Sequence, residues 1–346
     1  MARPRILFIY PWPDNTFIRK DEIILSRSFE LRVLHFSRTA AFYRELAGIL
    51  ARREVDLAYL WFLLPDCAPV VLALCRRARI PFVLVTGGYD VASIPAIRFG
   101  NMRKAHLRIP ARWVLRNADL ILPFSHWASG EVTRWTTPRG RLVPVYPGID
   151  SGFFCPPPPG TPRRGVVTVG TVNPLFNVQK GLLTFARASR LLPEVPFRLI
   201  GRIGDERAAA QLREAGGPNL ELTGRRVDDA ELLASYQGAS VYAQLSAHEG
   251  FGIAVAEAMA CGARPVVCSG TASPEVIGEC GETAGFGDVE GSAAAIRRAL
   301  AAPDPARAAG RLRVMEQFSE ERRERELLPL LESLLKPGRA RAASRA

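Results

Sequence analysis

Short apolar runs alternate with amphipathic stretches along most of the chain. In the first half the runs predict strands at 5–10, 31–35, 56–61, 81–86, 119–123 and 142–145. The second half repeats the pattern, with predicted strands at 165–170, 197–201, 220–223, 240–245 and 264–268. Helical periodicity lies between the runs, and this strand–helix order is typical of a parallel sheet with helices on both faces. The predicted fold class is therefore α/β, with Rossmann-like doubly wound parallel-sheet domains.

A proline-rich segment divides the two halves. Four consecutive prolines and a glycine in Cys155–Arg164 interrupt both helix and strand, so we expect this segment to be the interdomain linker. The length of 346 residues also favours two domains. The predicted boundaries are 1–152 and 165–315, followed by an amphipathic helix at 318–335.

Composition narrows the class of protein. The chain is 48% hydrophobic and 23% charged, which is typical of a globular protein. No apolar run approaches the roughly 18 residues of a membrane span, and the N-terminus has no signal-peptide pattern. Six cysteines without metal or framework spacing indicate a reducing compartment, so a cytoplasmic location is expected. No Asp-x-Asp or His/Cys cluster is present, so we expect no metal.

The segment 246–267 carries the strongest chemical signal. Glu249 and Glu257 lie eight positions apart, the first in a glycine-broken turn after a predicted strand and the second in the following Ala-rich helix. In a doubly wound domain such a loop lies at the carboxyl edge of the sheet, where ligands bind. Backbone N–H groups near Gly252 and Ile253 would face an anion, and Glu257 could accept hydrogen bonds from a ribose diol. This combination suits a nucleotide diphosphate sugar.

The same segment resembles the E-x7-E signature of the retaining glycosyltransferases of family 4. The segments 145–150 and 122–125 are similar to that family as well. The resemblance implies the GT-B fold, in which two Rossmann-like domains face a central cleft. It also implies an N-terminal domain that binds the acceptor, a C-terminal domain that binds the nucleotide sugar, and a last helix that crosses back to the N-terminal domain.

The resemblance also implies residue roles. Glu249 is expected near the transferred sugar, and Lys180 is expected to neutralise the donor diphosphate as the leaving group departs. Val227 is expected near the nucleobase, although the arginines beside it could equally be surface charge. Donor contacts through backbone groups are expected at Gly250, Phe251, Gly252 and Ile253.

The chain departs from the family pattern at two places. The family has an arginine directly after the strand that ends at Gly170, whereas this chain has Thr171. Arg202 could supply the missing charge, or Thr171 and Asn173 could give neutral hydrogen bonds. On the acceptor side the family often has a histidine where this chain has Gly87, Gly88, Tyr89 and Asp90. Asp90 could orient an acceptor hydroxyl or cap a helix.

The function predicted on this basis is sugar transfer with retention from a nucleotide diphosphate sugar to a glycan or lipid-linked acceptor. No cofactor is expected beyond the donor. A GT-B epimerase or phosphorylase is a second enzyme class, but the carboxylate and histidine set of the epimerase is not found. A non-catalytic sugar-nucleotide-binding protein is the remaining alternative, and the missing arginine favours it.

The net charge of +12 is concentrated in the first half. Residues 1–152 carry 22 Lys and Arg against 12 Asp and Glu. Within 98–116, four basic residues recur at every fourth position from Lys104 to Arg116 and would form one face of a helix that Pro110 kinks or splits. This face is either solvated or docks on an anionic membrane surface. No nucleic-acid-binding module accompanies the charge, so nucleic acid is not expected as a partner.

Overall fold

The computed structural model describes residues 3–12 and 16–335. They form two compact units. The first unit holds the chain up to Gly148 together with the segment from Glu320, and the second unit holds Ile149–Ser319. Each unit contains its own six-stranded sheet. Among the described residues, every helix falls short of the length and apolar character that crossing a membrane requires.

The first unit alternates strands and helices as its hydrophobic pattern predicts. The strands pair in parallel in the order β2-β1-β3-β4-β5-β6. The central strands are buried along their whole length, which explains their continuous apolar sequences. The elements are β1 (Arg5–Tyr10), α1 (Thr16–Ser28), β2 (Glu30–His35), α2 (Ala40–Ala51), β3 (Leu57–Trp61), α3 (Ala68–Ala78), β4 (Phe82–Thr86), α4 (Ala105–Asn117), β5 (Leu120–Pro123), α5 (His126–Trp135) and β6 (Arg141–Leu142).

The second unit has the same architecture, with the strand order β12-β11-β10-β7-β8-β9. Its core lies between the sheet and helices such as α7 and α12. The elements are β7 (Val166–Val169), α6 (Pro174–Gln179), α7 (Leu182–Arg190), β8 (Phe197–Arg202), α8 (Glu206–Ala215), β9 (Leu220–Gly224), α9 (Asp229–Gly238), β10 (Val241–Gln244), α10 (Ile253–Ala260), β11 (Arg264–Cys268), α11 (Ser273–Ile277), β12 (Glu282–Ala284), α12 (Val289–Ala301) and α13 (Asp304–Gln317).

The chain changes units earlier than the proline-rich segment predicts. The passage lies between Gly148 and Ile149, so Cys155–Arg164 belongs to the second unit. Hydrogen bonds hold both ends of this segment there: the Cys155 carbonyl accepts from Gln237, and the Arg164 N–H donates to Gly238. The linker prediction was wrong because prolines interrupt regular structure without preventing a segment from packing against its own domain.

Helix α4 is continuous through Pro110, so the predicted split of this helix was wrong. A proline removes one backbone donor from a helix, and here that donor is lost in the second turn. Buried residues on the turns after it, Ala111, Val114 and Leu115, hold the helix against the first core. Burial of this face outweighs the loss of a single hydrogen bond.

The last helix, α14 (Glu320–Leu335), belongs to the first unit and packs against α1. A buried ion pair fixes it there. Arg323 donates from Nη2 to Oδ2 of Asp21 at 2.8 Å, and also donates to the Tyr146 carbonyl at 2.7 Å. Tyr59 donates its hydroxyl to the same carboxylate at 2.8 Å. Burial, the largest single influence, would lower the pKa of Arg323, but the charges of Asp21 and Tyr59 and the hydrogen bonds to both outweigh it together and raise the pKa.

Replacing Arg323 by Met should strongly destabilise the first unit. The substitution leaves the carboxylate of Asp21 buried without its cation, which costs about 3–5 kcal/mol in comparable sites. Arg322→Met is the matched control, because Arg322 pairs with Glu326 at the surface and exposed pairs contribute about 0–1 kcal/mol. Urea denaturation of both variants measures the difference. Equal shifts of the two midpoints would contradict the structural role of the buried pair.

Candidate functional site

The second sheet reverses its strand order between β7 and β10. Strands β8 and β9 extend from one side of β7, and β10, β11 and β12 extend from the other. Loops leave the carboxyl ends of β7 and β10 on either side of this reversal. In open α/β sheets the crevice between two such loops is where ligands bind.

Backbone contacts join these two loops. Gly181 follows α6 with φ at +64°, and a Cβ atom there would lie 2.0 Å from the Leu245 carbonyl oxygen. Only glycine permits both the left-handed conformation and this close approach. The Ala247 N–H also donates to the Gln179 carbonyl at 2.8 Å. The end of α6 is therefore held against the segment 246–252, which we call the glutamate loop.

The contact between the loops brings together two sequence-predicted site residues. Lys180 donates from Nζ to Oε1 of Glu249 at 2.8 Å. Gln244 donates from Nε2 to the same oxygen at 2.5 Å. The side chain of Glu249 is only 13% exposed, whereas that of Lys180 is 35% exposed. The carboxylate is thus enclosed, and the ammonium group is within reach of a ligand from solvent.

The neighbours of Glu249 keep it ionised. Burial, the largest single influence, would raise the pKa of its carboxyl group. The charge of Lys180 and hydrogen bonds from Lys180, Ser246 and Gln244 outweigh burial and hold the pKa below its ordinary value. At neutral pH the site contains a carboxylate and an ammonium group in contact.

The end of the glutamate loop opens into α10. The Phe251 ring is buried and packs edge-on against Phe318, with ring centroids 5.2 Å apart. Its side chain therefore anchors the loop. Gly252 follows with φ at +108°, and α10 begins at Ile253. The first N–H groups of this helix have no intrahelical acceptor and carry the positive end of the helix dipole.

Glu257 lies on α10, beyond its first turn. Its side chain is half-buried and its Oε2 accepts a hydrogen bond from the Tyr236 hydroxyl at 3.5 Å. Tyr236 is fully buried, and burial raises its pKa. The tyrosine therefore remains a neutral donor that orients the carboxylate.

The remaining predicted donor residues lie on the same sheet edge. Thr171 and Arg202 follow adjacent strands, and the Val172 N–H donates to the Arg202 carbonyl at 3.0 Å. The Arg202 side chain is exposed. Val227 lies after β9, the edge strand, and Arg225 beside it pairs with Glu231. That ion pair supports the interpretation of Arg225 as surface charge.

Comparisons with known proteins identify this unit. A family model described as "Glycosyl transferases group 1" matches residues 163–302. The match shows that these residues are similar to the group 1 glycosyltransferases. The matched segment contains the glutamate loop, Lys180 and Glu257, and it ends within α12.

Two curated relatives are similar to part of this chain. The O-antigen chain mannosyltransferase B of Escherichia coli is 32% identical over 210 residues, covering 54% of this chain and 52% of the relative. The MMP alpha-(1->4)-mannosyltransferase of Mycolicibacterium hassiacum is 30% identical over 209 residues, covering 58% of this chain and 50% of the relative. The chain thus spans about half the length of the curated relatives it matches.

Solved structures identify the fold of the whole chain as GT-B. The HepE protein of Anabaena, solved in complex with UDP and glucose, superposes with a TM-score of 0.73. The superposition covers 95% of this chain and 99% of that one at 17% sequence identity. The predicted fold class, two Rossmann-like parallel-sheet domains, is confirmed.

In the first unit, Asp90 has a structural role that differs from both predictions. It is buried, and it accepts hydrogen bonds from the Leu63, Gly87 and Gly88 N–H groups. No helix begins at Asp90, so the capping alternative was wrong. Its two oxygens already accept backbone donors, which also leaves Asp90 poorly placed to orient an acceptor hydroxyl. Gly87 and Gly88 remain at the carboxyl end of β4, as predicted.

Two residues of the candidate site were missed at the sequence level. Gln244 and Ser246 both hydrogen-bond to Glu249. A signal for Gln244 was present, since it is a polar residue inside the apolar run 241–245, at the carboxyl end of a central strand. A buried amide at that place requires a polar partner, and Glu249 is that partner.

Lys180→Met should raise the pKa of Glu249 and destabilise the second unit most at neutral pH. Because the pKa of Glu249 is held below its ordinary value of 4.5, its ionised carboxylate stabilises the folded unit at pH values above 4.5. This stabilisation is lost as the pH falls through the folded-state pKa. Without Lys180, burial is opposed only by hydrogen bonds. The loss of unfolding free energy in the variant should therefore grow as the pH rises from 4 to 8, measured by urea denaturation. Lys104→Met is the control, because Lys104 is exposed. A pH-independent loss in Lys180→Met would contradict the coupling.

Proposed function

We propose that the protein transfers a hexose from a nucleoside diphosphate sugar to a glycan or lipid-linked acceptor with retention of the anomeric configuration. The contact of Lys180 with Glu249 beside the start of α10 carries this proposal. It combines a reachable cation, the N–H groups at a helix start and an enclosed carboxylate at the strand-order reversal. This set of groups suits a diphosphate attached to a polyhydroxylated sugar.

Each group has a task in the transfer. The diphosphate lies at the N-terminus of α10, and Lys180 stabilises the charge that grows on it as the sugar–phosphate bond breaks. An ammonium group has three donors, so Lys180 can keep its contact with Glu249 and still bind phosphate oxygen. Glu249 lies beside the transferred sugar. Glu257, oriented by Tyr236, accepts hydrogen bonds from the ribose diol.

Retention follows when the acceptor attacks from the side on which the diphosphate leaves. The acceptor hydroxyl forms a bond to the anomeric carbon while the bond from that carbon to the phosphate oxygen breaks. The hydroxyl proton passes to the departing diphosphate, so the chain needs no separate base. The family has an arginine at the position of Thr171. In this chain Arg202 supplies that second positive charge instead.

Mannose is the first sugar to test. Both curated relatives are named as mannosyltransferases, and the HepE structure contains UDP and glucose. The donor panel is therefore GDP-mannose, UDP-glucose and UDP-galactose. The alternative function, a non-catalytic sugar-nucleotide-binding protein, rests on Thr171 in place of the arginine. Such a protein binds a donor from the panel without hydrolysing or transferring it.

Purified protein should hydrolyse or transfer one donor of the panel, and two variants should separate binding from chemistry. Glu257→Ala should weaken nucleotide binding about tenfold in calorimetric titration, because the ribose diol loses a pair of charge-assisted hydrogen bonds. Lys180→Ala should lower kcat more than it raises KM, because leaving-group charge peaks in the transition state. Glu206→Ala is the control, since Glu206 is exposed on α8. Tight binding without turnover in the parent would favour the non-catalytic alternative.

We propose further that the surface of α4 docks on an anionic membrane that carries the acceptor. Arg112 and Arg116 are exposed on this helix, and Lys104 is exposed directly before it. Ile109 is 79% exposed and Trp113 is 42% exposed beside them. Exposed apolar side chains among basic ones are typical of helices that lie at a membrane interface. A purely solvated face gives no reason for the exposure of Ile109 and Trp113.

Sedimentation with liposomes tests the docking. The protein should sediment with vesicles containing anionic phospholipid at low salt, and less at high salt, because each basic residue adds about 1 kcal/mol of attraction. Arg112→Glu combined with Arg116→Glu should abolish the effect. Arg207→Glu combined with Arg297→Glu, two exposed residues of the second unit, is the charge-matched control. Equal recovery in the supernatant with anionic and neutral vesicles would contradict membrane docking.

A further inference from the structure

Five aromatic rings gather at the carboxyl edge of the first sheet. They come from the segments after β1, β3 and β5, from the end of β3 and from the start of α1, so they surround neighbouring strand ends. Ring centroids within the cluster lie 5.3–6.4 Å apart. We call this cluster the aromatic platform; it consists of Trp12, Phe17, Trp61, Phe62 and Phe124.

The platform has a buried base and an exposed top. Trp61 and Phe124 are buried, Phe17 and Phe62 are half-buried, and Trp12 is 55% exposed. The exposed part therefore consists of the indole ring of Trp12 and part of the phenyl ring of Phe62. The two ring centroids lie 5.3 Å apart, with an angle of 54° between the ring planes. Carboxyl ends of parallel strands are where ligands bind in open α/β sheets. An exposed tryptophan at this edge is a candidate contact for a ligand rather than a core residue.

The backbone holds the platform in a strained conformation. Phe62 has φ at +70°, a left-handed conformation that non-glycine residues rarely adopt. Its ring occupies the place where a side chain of Gly87 would start, because a Cβ atom there would lie 2.3 Å from the ring. Asp90 fixes both loops through the N–H groups of Leu63, Gly87 and Gly88. Backbone strain that is held in place by the surrounding structure is typical of functional sites.

The platform also contains a buried donor without an acceptor. The indole Nε1 of Trp61 is enclosed and has no hydrogen-bond partner among the residues that the structure describes. Buried donors are nearly always satisfied, so this one indicates a ligand or a water molecule. A purely hydrocarbon ligand such as a polyprenyl chain offers no acceptor, whereas a sugar hydroxyl does. The small exposed area also matches one sugar ring better than a long lipid tail.

We propose that the aromatic platform binds a pyranose ring of the acceptor glycan by stacking against Trp12 and Phe62. The C–H groups on one face of a pyranose pack on aromatic rings, and its hydroxyls remain at the rim for hydrogen bonds. That the bound sugar is the acceptor rests on the proposed function, whereas sugar binding itself does not. Trp12 and Phe62 are therefore specificity-determining residues for the sugar that receives the transfer.

Direct sugar binding tests the platform without a donor. Saturation-transfer NMR and tryptophan fluorescence are recorded with methyl α-D-mannopyranoside, methyl α-D-glucopyranoside and α-linked mannobiose as probes. The parent should bind at least one of them. Trp12→Ala should weaken binding about tenfold, and Trp12→Phe should restore most of it, because an aromatic face is retained. Phe286→Ala is the control, since Phe286 is an exposed aromatic residue of the second unit, with 44% of its surface accessible.

The outcomes separate the platform from the proposed function. Unchanged affinity in Trp12→Ala, or no sugar binding by the parent, would overturn the platform. Saturable binding of farnesyl phosphate that requires Trp12, without sugar binding, would overturn it in favour of a lipid site. Donor binding and hydrolysis are measured separately in the parent and in Phe286→Ala, which should leave both unchanged. Loss of sugar binding in Trp12→Ala supports the platform even when the parent hydrolyses no donor, a result that would count only against the proposed function.

Discussion

The site of the second unit depends on one close approach, that of Gly181 to the Leu245 carbonyl. A Cβ atom at position 181 would lie 2.0 Å from that oxygen, so any other residue would push the two loops apart. Their separation would break the 2.8 Å contact between Lys180 and Glu249. Glu249 would then be a largely buried carboxylate without its cation. The electrostatics of the site thus rest on a backbone constraint, and the glycine is as necessary as the charged residues it brings together.

Buried carboxylates in this chain differ according to what neutralises them. Asp21 is enclosed by Arg323 and Tyr59, and neither cation nor carboxylate is open to solvent. Asp90 has only neutral backbone donors, and burial raises its pKa in spite of them. Glu249 alone of the three is paired with a cation that is itself 35% exposed. A cation of that kind can exchange part of its pairing for a ligand, which distinguishes a binding site from a structural ion pair.

The alternation of strands and helices could be predicted because long apolar runs with regular spacing leave few other folds. Short elements escaped prediction. β12 has three residues, too few for a hydrophobic period, and α6 begins with proline in a segment that reads as loop. In the site, Lys180 and Glu249 followed from resemblance, yet their contact could not be predicted. They lie 69 positions apart, and only the backbone contact at Gly181 joins them. Asp90 was misinterpreted because hydrogen bonds from loops that are distant in sequence leave no sequence pattern.

The two sheets present different chemistry at equivalent edges. At the second edge lie an ammonium group, the start of α10 and two glutamates, all of which interact with charges and hydroxyls. At the first edge lie aromatic rings, two glycines and a carboxylate whose oxygens are already occupied by backbone donors. A nucleoside diphosphate brings several negative charges, and aromatic rings do not compensate them. A neutral sugar brings apolar C–H faces that rings can cover. The chemistry of the second edge therefore suits a charged donor, and that of the first suits an uncharged glycan.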